Sequence, residues 1–280
     1  MTQALLITLR EGLEMSLLVV IVLAYLREAR RGDLFRPVWY GVGLAIASSV
    51  VVGAVLFGVG SGLSGKAEEV FEGGAMFVAA AVLTWMIMWM KGQGRRMRRD
   101  VELRVGRAIA RGSGIALASL AFVIVVREGL ETALFLFSAS KTATPAATTI
   151  GGLLGLLIAL AIGRAVYQGS RGINLKTFFN VTGVLLIFFA AGLLVHGIHE
   201  FQEAGYLTVL GGQAWDMNGI LNEKGTAGSL LKGILGYNGN PSVLEAIVYP
   251  IYSIAALAFF LKPVSVAPSP RPTHGAAVTG

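Results

Sequence analysis

The sequence predicts an all-α, polytopic membrane protein with seven transmembrane helices, arranged as two inverted three-helix repeats plus one appended helix. Three observations carry this reading. Of 280 residues, 55% are hydrophobic and only 14% are charged, with mean hydropathy +0.70; soluble domains carry about 25% charged residues. Seven apolar stretches each approach the ~20 residues that a bilayer requires. One five-residue string, Arg-Glu-Gly-Leu-Glu, stands at 10–14 and again at 127–131, each time inside such a stretch.

The expected spans are about 4–26, 38–60, 70–90, 114–137, 148–167, 177–203 and 244–261. The first contains Arg10, Glu11 and Glu14 and has no basic leader in front of it, so a cleaved signal peptide is not expected. The second is apolar throughout. The third opens on Glu68, Glu69 and Glu72 and closes on Trp85, Trp89 and Met86, Met88 and Met90, which read as interface anchors and packing. The fourth repeats the charged string. The fifth carries Gly151 and Gly155 at the spacing that lets membrane helices approach closely. The sixth ends in a polar stripe, and the seventh begins at Glu245, where a cap is the simpler reading. Repeat one is then about 1–112 and repeat two about 113–204. An external segment of about 204–243, rich in Gly and Asn, has room for short interfacial helices. The last helix follows at about 244–261. Residues 263–280, with Pro263, Pro268, Pro270 and Pro272, read as a disordered cytoplasmic tail.

The net charge of +7 has a topological explanation. Of 23 basic residues, 17 fall in alternate connections, eight of them between Lys91 and Arg111, and only four in the opposite ones. The positive-inside rule therefore puts the N-terminus outside and the C-terminus in the cytoplasm of a multi-pass cell-membrane protein. No nucleic-acid partner is expected. With no cysteine, thiolate metal sites and disulfides are excluded.

A charged residue inside a span costs roughly 2.5–3.5 kcal/mol, so six would cost on the order of 15–20 kcal/mol facing lipid. They must face one another or an ion path. At about 100° per residue, Arg10, Glu11 and Glu14 share one arc and Gly12 lies behind it, where another helix can pack. Arg127, Glu128, Glu131 and Gly129 repeat the pattern. The copies lie 117 residues and three spans apart, so the second enters the membrane from the opposite side, as in transporters with inverted repeats. Four Glu against two Arg leave −2, which suits a multivalent cation, and oxygen ligands favour a hard one. The structural alternative is that each Arg bridges its own Glu at i, i+4 and nothing is bound.

His196, His199, Glu200 and Glu203 follow i, i+3, i+4, i+7 at the outer end of span six. They read either as a solvated helix end or as a capture site or proton-linked gate for a transition metal. Glu72, the deepest of its three acids, is a candidate for concentrating cations at the entrance. Two near-motifs are set aside. Gly60–Ala67 approaches a phosphate-binding loop but has Ala67 where a hydroxyl is needed, and His199-Glu200-x-x-Glu203 lacks the second His of a zinc protease.

The paired motifs on spans one and four of a seven-helix chain resemble the oxidase-dependent iron permeases of fungi and bacteria, over about residues 1–262. The resemblance implies an iron permease rather than an enzyme, with iron (Fe³⁺ or Fe²⁺) as transported substrate and no cofactor. By matching positions it assigns Glu11, Glu14, Glu128 and Glu131 as iron ligands, with Arg10 and Arg127 supporting. It also implies an extracytoplasmic iron-binding protein and a peroxidase or ferroxidase as partners. The acidic Asp-Ala-Ser-Glu element of fungal members is absent from the external segment, where Asp216 and Glu223 are the nearest acids. The expected route runs from Glu72 and the His199/Glu200/Glu203 stripe to the four motif carboxylates, with the two three-helix units rocking to release iron inward. The alternatives are a transporter of another divalent metal or of protons, and, more distantly, a membrane-embedded metalloenzyme built on His196, His199 and Glu200.

Overall fold

A computed structural model describes residues 1–90, 94–110, 112–141, 143–168, 175–223 and 225–262; the tail expected at 263–280 lies outside them. The described residues form α1 (Thr2–Glu28), α2 (Phe35–Gly62, entered by a 3-10 turn at Gly32–Leu34), α3 (Lys66–Met90), α4 (Gly94–Ala110), α5 (Gly114–Lys141), α6 (Pro145–Tyr167), α7 (Leu175–Glu203), α8 (Thr226–Leu235) and α9 (Val243–Leu261). Five are long and apolar enough to cross a membrane: α2, α3, α6, α7 and α9. The helices α1 and α5, of 27 and 28 residues, match them in length, and each carries the three charges of its motif. The protein is an all-α, polytopic membrane protein.

Small residues decide which helices meet. Down the α1–α6 contact, Gly151 lies against Met1, Gly155 against Leu5 and Thr8, Gly12 against Ala159, and Gly163 against Ser16. A Cβ at Gly12 would stand 2.9 Å from that of Ala159. The α2–α5 contact is built alike, with Gly41 on Ala118, Ser49 on Gly129 and Gly53 on Ala133. In both pairs residue numbers rise together, so the paired helices run parallel. Without a hydrophobic drive between helices in lipid, close backbone approach of this kind supplies the packing energy. The third major contact is α3 on α7, where Gly73 faces Phe201, and Phe77 and Phe201 lie 5.4 Å apart.

Each of these contacts joins one expected three-helix unit to the other, and α1 and α5 also cross. The units are interleaved rather than side by side. Rocking of residues 1–112 as a body against 113–204 would have to open all three contacts.

The basic connection expected between spans three and four contains a helix, α4. Its Val101, Val105 and Ala108 join an apolar core with Leu18, Val22 and Leu26 of α1, Val38 of α2 and Leu117 of α5. Their i, i+4, i+7 spacing was readable in the sequence but was outweighed by the arginines around it. At the opposite end, α8 lies across α1 and α7. Gln3 Nε2 donates to the carbonyl of Lys232 at 3.2 Å, and Gly236, in the left-handed region at φ 66°, packs on Gly192. The segment before α9 is pinned by Glu223, which accepts from Lys232 Nζ at 2.9 Å and from the Gly239 N–H at 2.5 Å. Burial alone would raise the Glu223 carboxyl, but these two donors hold it below the usual carboxylate range.

Candidate functional site

Each motif glycine is pressed against a neighbouring helix, Gly12 on α6 and Gly129 on α2. This turns the opposite, charged arcs of α1 and α5 toward each other. Arg10, Glu11, Glu14, Glu128 and Glu131 are all buried. The two motifs share one internal ion pair. Arg10 Nε donates to Glu14 Oε1 at 3.1 Å, and Arg127 Nε to Glu131 Oε1 at 3.0 Å. The i, i+4 bridge expected as the structural alternative is therefore present in both copies.

It does not use up the carboxylates. Glu11, Glu128 and Glu131 each offer an oxygen, and these atoms lie within 4.8 Å of one another. Among the described residues this is the one group of three or more His, Asp or Glu ligand atoms so placed. Both oxygens of Glu11, Oε2 of Glu128 and Oε2 of Glu131 are buried without a hydrogen-bond partner, as is Nη1 of Arg10. Unpaired buried carboxylate oxygens cost several kcal/mol unless a proton or cation satisfies them. Three hard oxygen donors from two helices fit a hard cation. The fourth expected ligand, Glu14, stays with Arg10.

The end of α3 supports both arginines. Arg10 Nη2 lies 3.4 Å from Met90 Sδ. Arg127, 36% exposed, stands 5.8 Å and 5.4 Å from the ring centroids of Trp85 and Trp89. Cation–π contact holds a guanidinium without competing for its carboxylate. The sequence placed these three residues as anchors and packing; nothing local paired them with motifs on other helices.

Similarity to known proteins sets the family. The model of the iron permease FTR1 family matches residues 1–271. The chain belongs to the iron permease FTR1 family. It is 35% identical over 275 residues to a ferrous iron permease, EfeU, of Yersinia pestis, covering 98% of this chain and 95% of that one. It is 37% identical over 260 residues to the EfeU ferrous iron permease of Escherichia coli O6:K15:H31, covering 92% and 94%. No solved structure matches. The permease is thus a transporter and not an enzyme.

The polar stripe of α7 is not gathered into one ligand set. His196 Nδ1 lies 2.8 Å from the carbonyl of Gly192. His199 bridges Glu245 Oε1 (3.0 Å) through Nδ1 and Glu203 Oε1 (3.3 Å) through Nε2. Glu200 packs where α7 meets Gly73 of α3. Glu245, expected as a cap, does sit in the cap of α9. Its N–H donates to Ser242 Oγ at 3.3 Å, and its carboxylate accepts from Ser242 Oγ at 3.1 Å and Asn238 Nδ2 at 2.7 Å. It also ties α9 to α7 through His199. Glu72 is ion-paired with Lys141 at the end of α5. Lys141 was not singled out in the sequence, and its position beside Glu72 depends on α3 and α5 crossing.

Proposed function

We propose that the permease moves iron inward across the cell membrane through the cluster formed by Glu11, Glu128 and Glu131. The observation that carries this reading is the convergence of carboxylates from both motifs, with one oxygen of each within 4.8 Å of the others and several of their oxygens unpaired. Arg10 and Arg127 fix Glu14 and Glu131 and keep the empty site from carrying its full negative charge. A cation that competes with Arg10 for Glu14 would add a fourth carboxylate to the set. Glu72 and the His199, Glu200 and Glu203 stripe form the outer approach, with His196 beneath α8. Lys141 on Glu72 would be displaced by an arriving cation.

All seven long helices cross the membrane in this reading, with the N-terminus outside. Exchanging α1 for α5, α2 for α6 and α3 for α7 maps the major contacts onto themselves, which supports two inverted repeats. Because the repeats are interleaved, passage of the ion proceeds by shifts of paired helices rather than by rocking of repeats. The relatives are named ferrous iron permeases. Delivery by an extracytoplasmic iron-binding protein with a peroxidase or ferroxidase follows from the family resemblance.

The test is ⁵⁵Fe uptake into proteoliposomes, comparing Fe²⁺, Fe³⁺ and competing divalent ions. Glu11→Ala and Glu128→Ala should abolish uptake while the protein still inserts. Normal uptake by inserted variants would remove these residues from the path, and equal transport of other divalent ions would remove iron as the selected cargo.

A further inference from the structure

The arginine-bearing face of α4 has a partner chemistry of its own. On one side α4 seals an apolar core against α1, α2 and α5. Beside that seal a groove of about 330 Å³ opens between α4 and the first turns of α5. One rim is Arg104 and Arg107, at i, i+3 and both exposed. The other wall is Ala116, Ser119, Leu120 and Val123. Neither arginine has an ion pair or hydrogen bond among the described residues, and Ser119 offers a free hydroxyl. The α5 wall continues into exposed apolar side chains: Val123 is 59% exposed and Ile115 81%.

An apolar strip leading to two unpaired guanidinium groups and a hydroxyl matches an amphiphile with an anionic head and a hydrocarbon tail. Arginine binds phosphate oxygens in a fork, and basic pockets beside membrane helices favour anionic headgroups. A soluble anion would leave the apolar wall unused, and an acidic peptide would have to displace lipid from α5.

We propose that this groove holds an anionic phospholipid, with its phosphate on Arg104, Arg107 and Ser119 and an acyl chain along Leu120 and Val123. The lipid then fastens α4 to the start of α5, the helix that carries the second motif. This site is independent of the transport reading.

Native mass spectrometry of the full-length protein, carried in mixed phosphatidylglycerol and phosphatidylcholine, tests it. Phosphatidylglycerol should be retained in preference to phosphatidylcholine. Retention should weaken roughly thirtyfold in Arg104→Gln/Arg107→Gln and largely return in Arg104→Lys/Arg107→Lys. Inorganic phosphate should displace it no more than chloride at the same ionic strength. Equal retention of both lipids, undiminished retention by the glutamine variant, or displacement by phosphate or by an acidic peptide beyond that caused by chloride at the same ionic strength would each overturn the assignment. Should the glutamine variant fail to insert, the unaltered protein decides: high salt must strip the phosphatidylglycerol, and insensitivity to salt counts against the site.

Discussion

Glu11 and Glu14 sit one turn apart on the same helix, yet their replacement should have opposite effects. Among the described residues Glu11 takes part in no ion pair, and its carboxyl meets only that of Glu128. Glu11→Gln therefore breaks no ion pair, and it removes an uncompensated acid from the interior. Stability should stay the same or rise. Transport should suffer, because one of three converging carboxylates is gone. A charge-assisted contact is worth about 1.5–3 kcal/mol, so apparent affinity for iron should fall roughly 10- to 100-fold. Glu14→Gln is the reverse case. It strips the Nε partner from Arg10, which is 2% exposed and already has Nη1 unsatisfied. Stranding a buried charge costs about 3–5 kcal/mol, which at about 2–4 °C per kcal/mol lowers the melting temperature by roughly 6–20 °C. Thermal unfolding in detergent and ⁵⁵Fe uptake, measured on the same preparations, separate the two. If Glu11→Gln melts as early as Glu14→Gln, Glu11 is a structural group. If it takes up iron like the parent, the three-carboxylate cluster is not the site.

Three further outcomes follow from the packing and the ion pairs. A Cβ at Gly155 would collide with the Thr8 hydroxyl and the Leu5 carbonyl, whereas one at Gly58 meets nothing within 4 Å; Gly155→Ala should cost about 1–3 kcal/mol in a detergent unfolding series and Gly58→Ala should be neutral or slightly stabilising. Trp89→Ala removes one of the two rings beside Arg127 and should destabilise by about 0.5–2 kcal/mol, with Trp89→Phe recovering most of the loss; equal melting of all three proteins would show that the ring contact contributes nothing. Glu223 titrates lower in the folded chain than in the unfolded one, so its contribution is present above the unfolded value of ~4.3 and fades as pH falls through the folded value. Protection of residues 204–243 from proteolysis should hold at neutral pH and decline below about pH 4.3, and Glu223→Gln should lack that pH-dependent part.

Much of the site was legible because its signals are local. Six charges in apolar stretches, duplicated with the same spacing, identify a shielded polar centre whatever the fold. The glycines behind the charged arcs marked the faces that would be pressed together. The residues that complete the centre left no such trace. Trp85, Trp89 and Met90 lie in an apolar run where aromatic and thioether side chains are ordinary. Lys141 and Glu245 stand at helix ends, where a charge needs no special reason. Each acquires its role from a residue at least 38 positions away, as Trp89 does from Arg127. The helix α4 was hidden for a different reason: its three apolar positions are spread through a strongly basic stretch, and the charge pattern dominated the reading.

The sequence by itself determined that this chain lives in a membrane, where its apolar segments lie, and that two carboxylate pairs with arginines must be sheltered together. Hydropathy and charge are properties of contiguous residues, so the bilayer reads them one segment at a time. Only the tertiary structure decided that α1 lies on α6 and α2 on α5, that Glu131 joins Glu11 and Glu128 while Glu14 remains with Arg10, and that α3 braces both guanidinium groups. Those outcomes depend on which small-residue surfaces can approach without collision, and steric fit between distant helices has no periodicity along the chain from which a partner could be read.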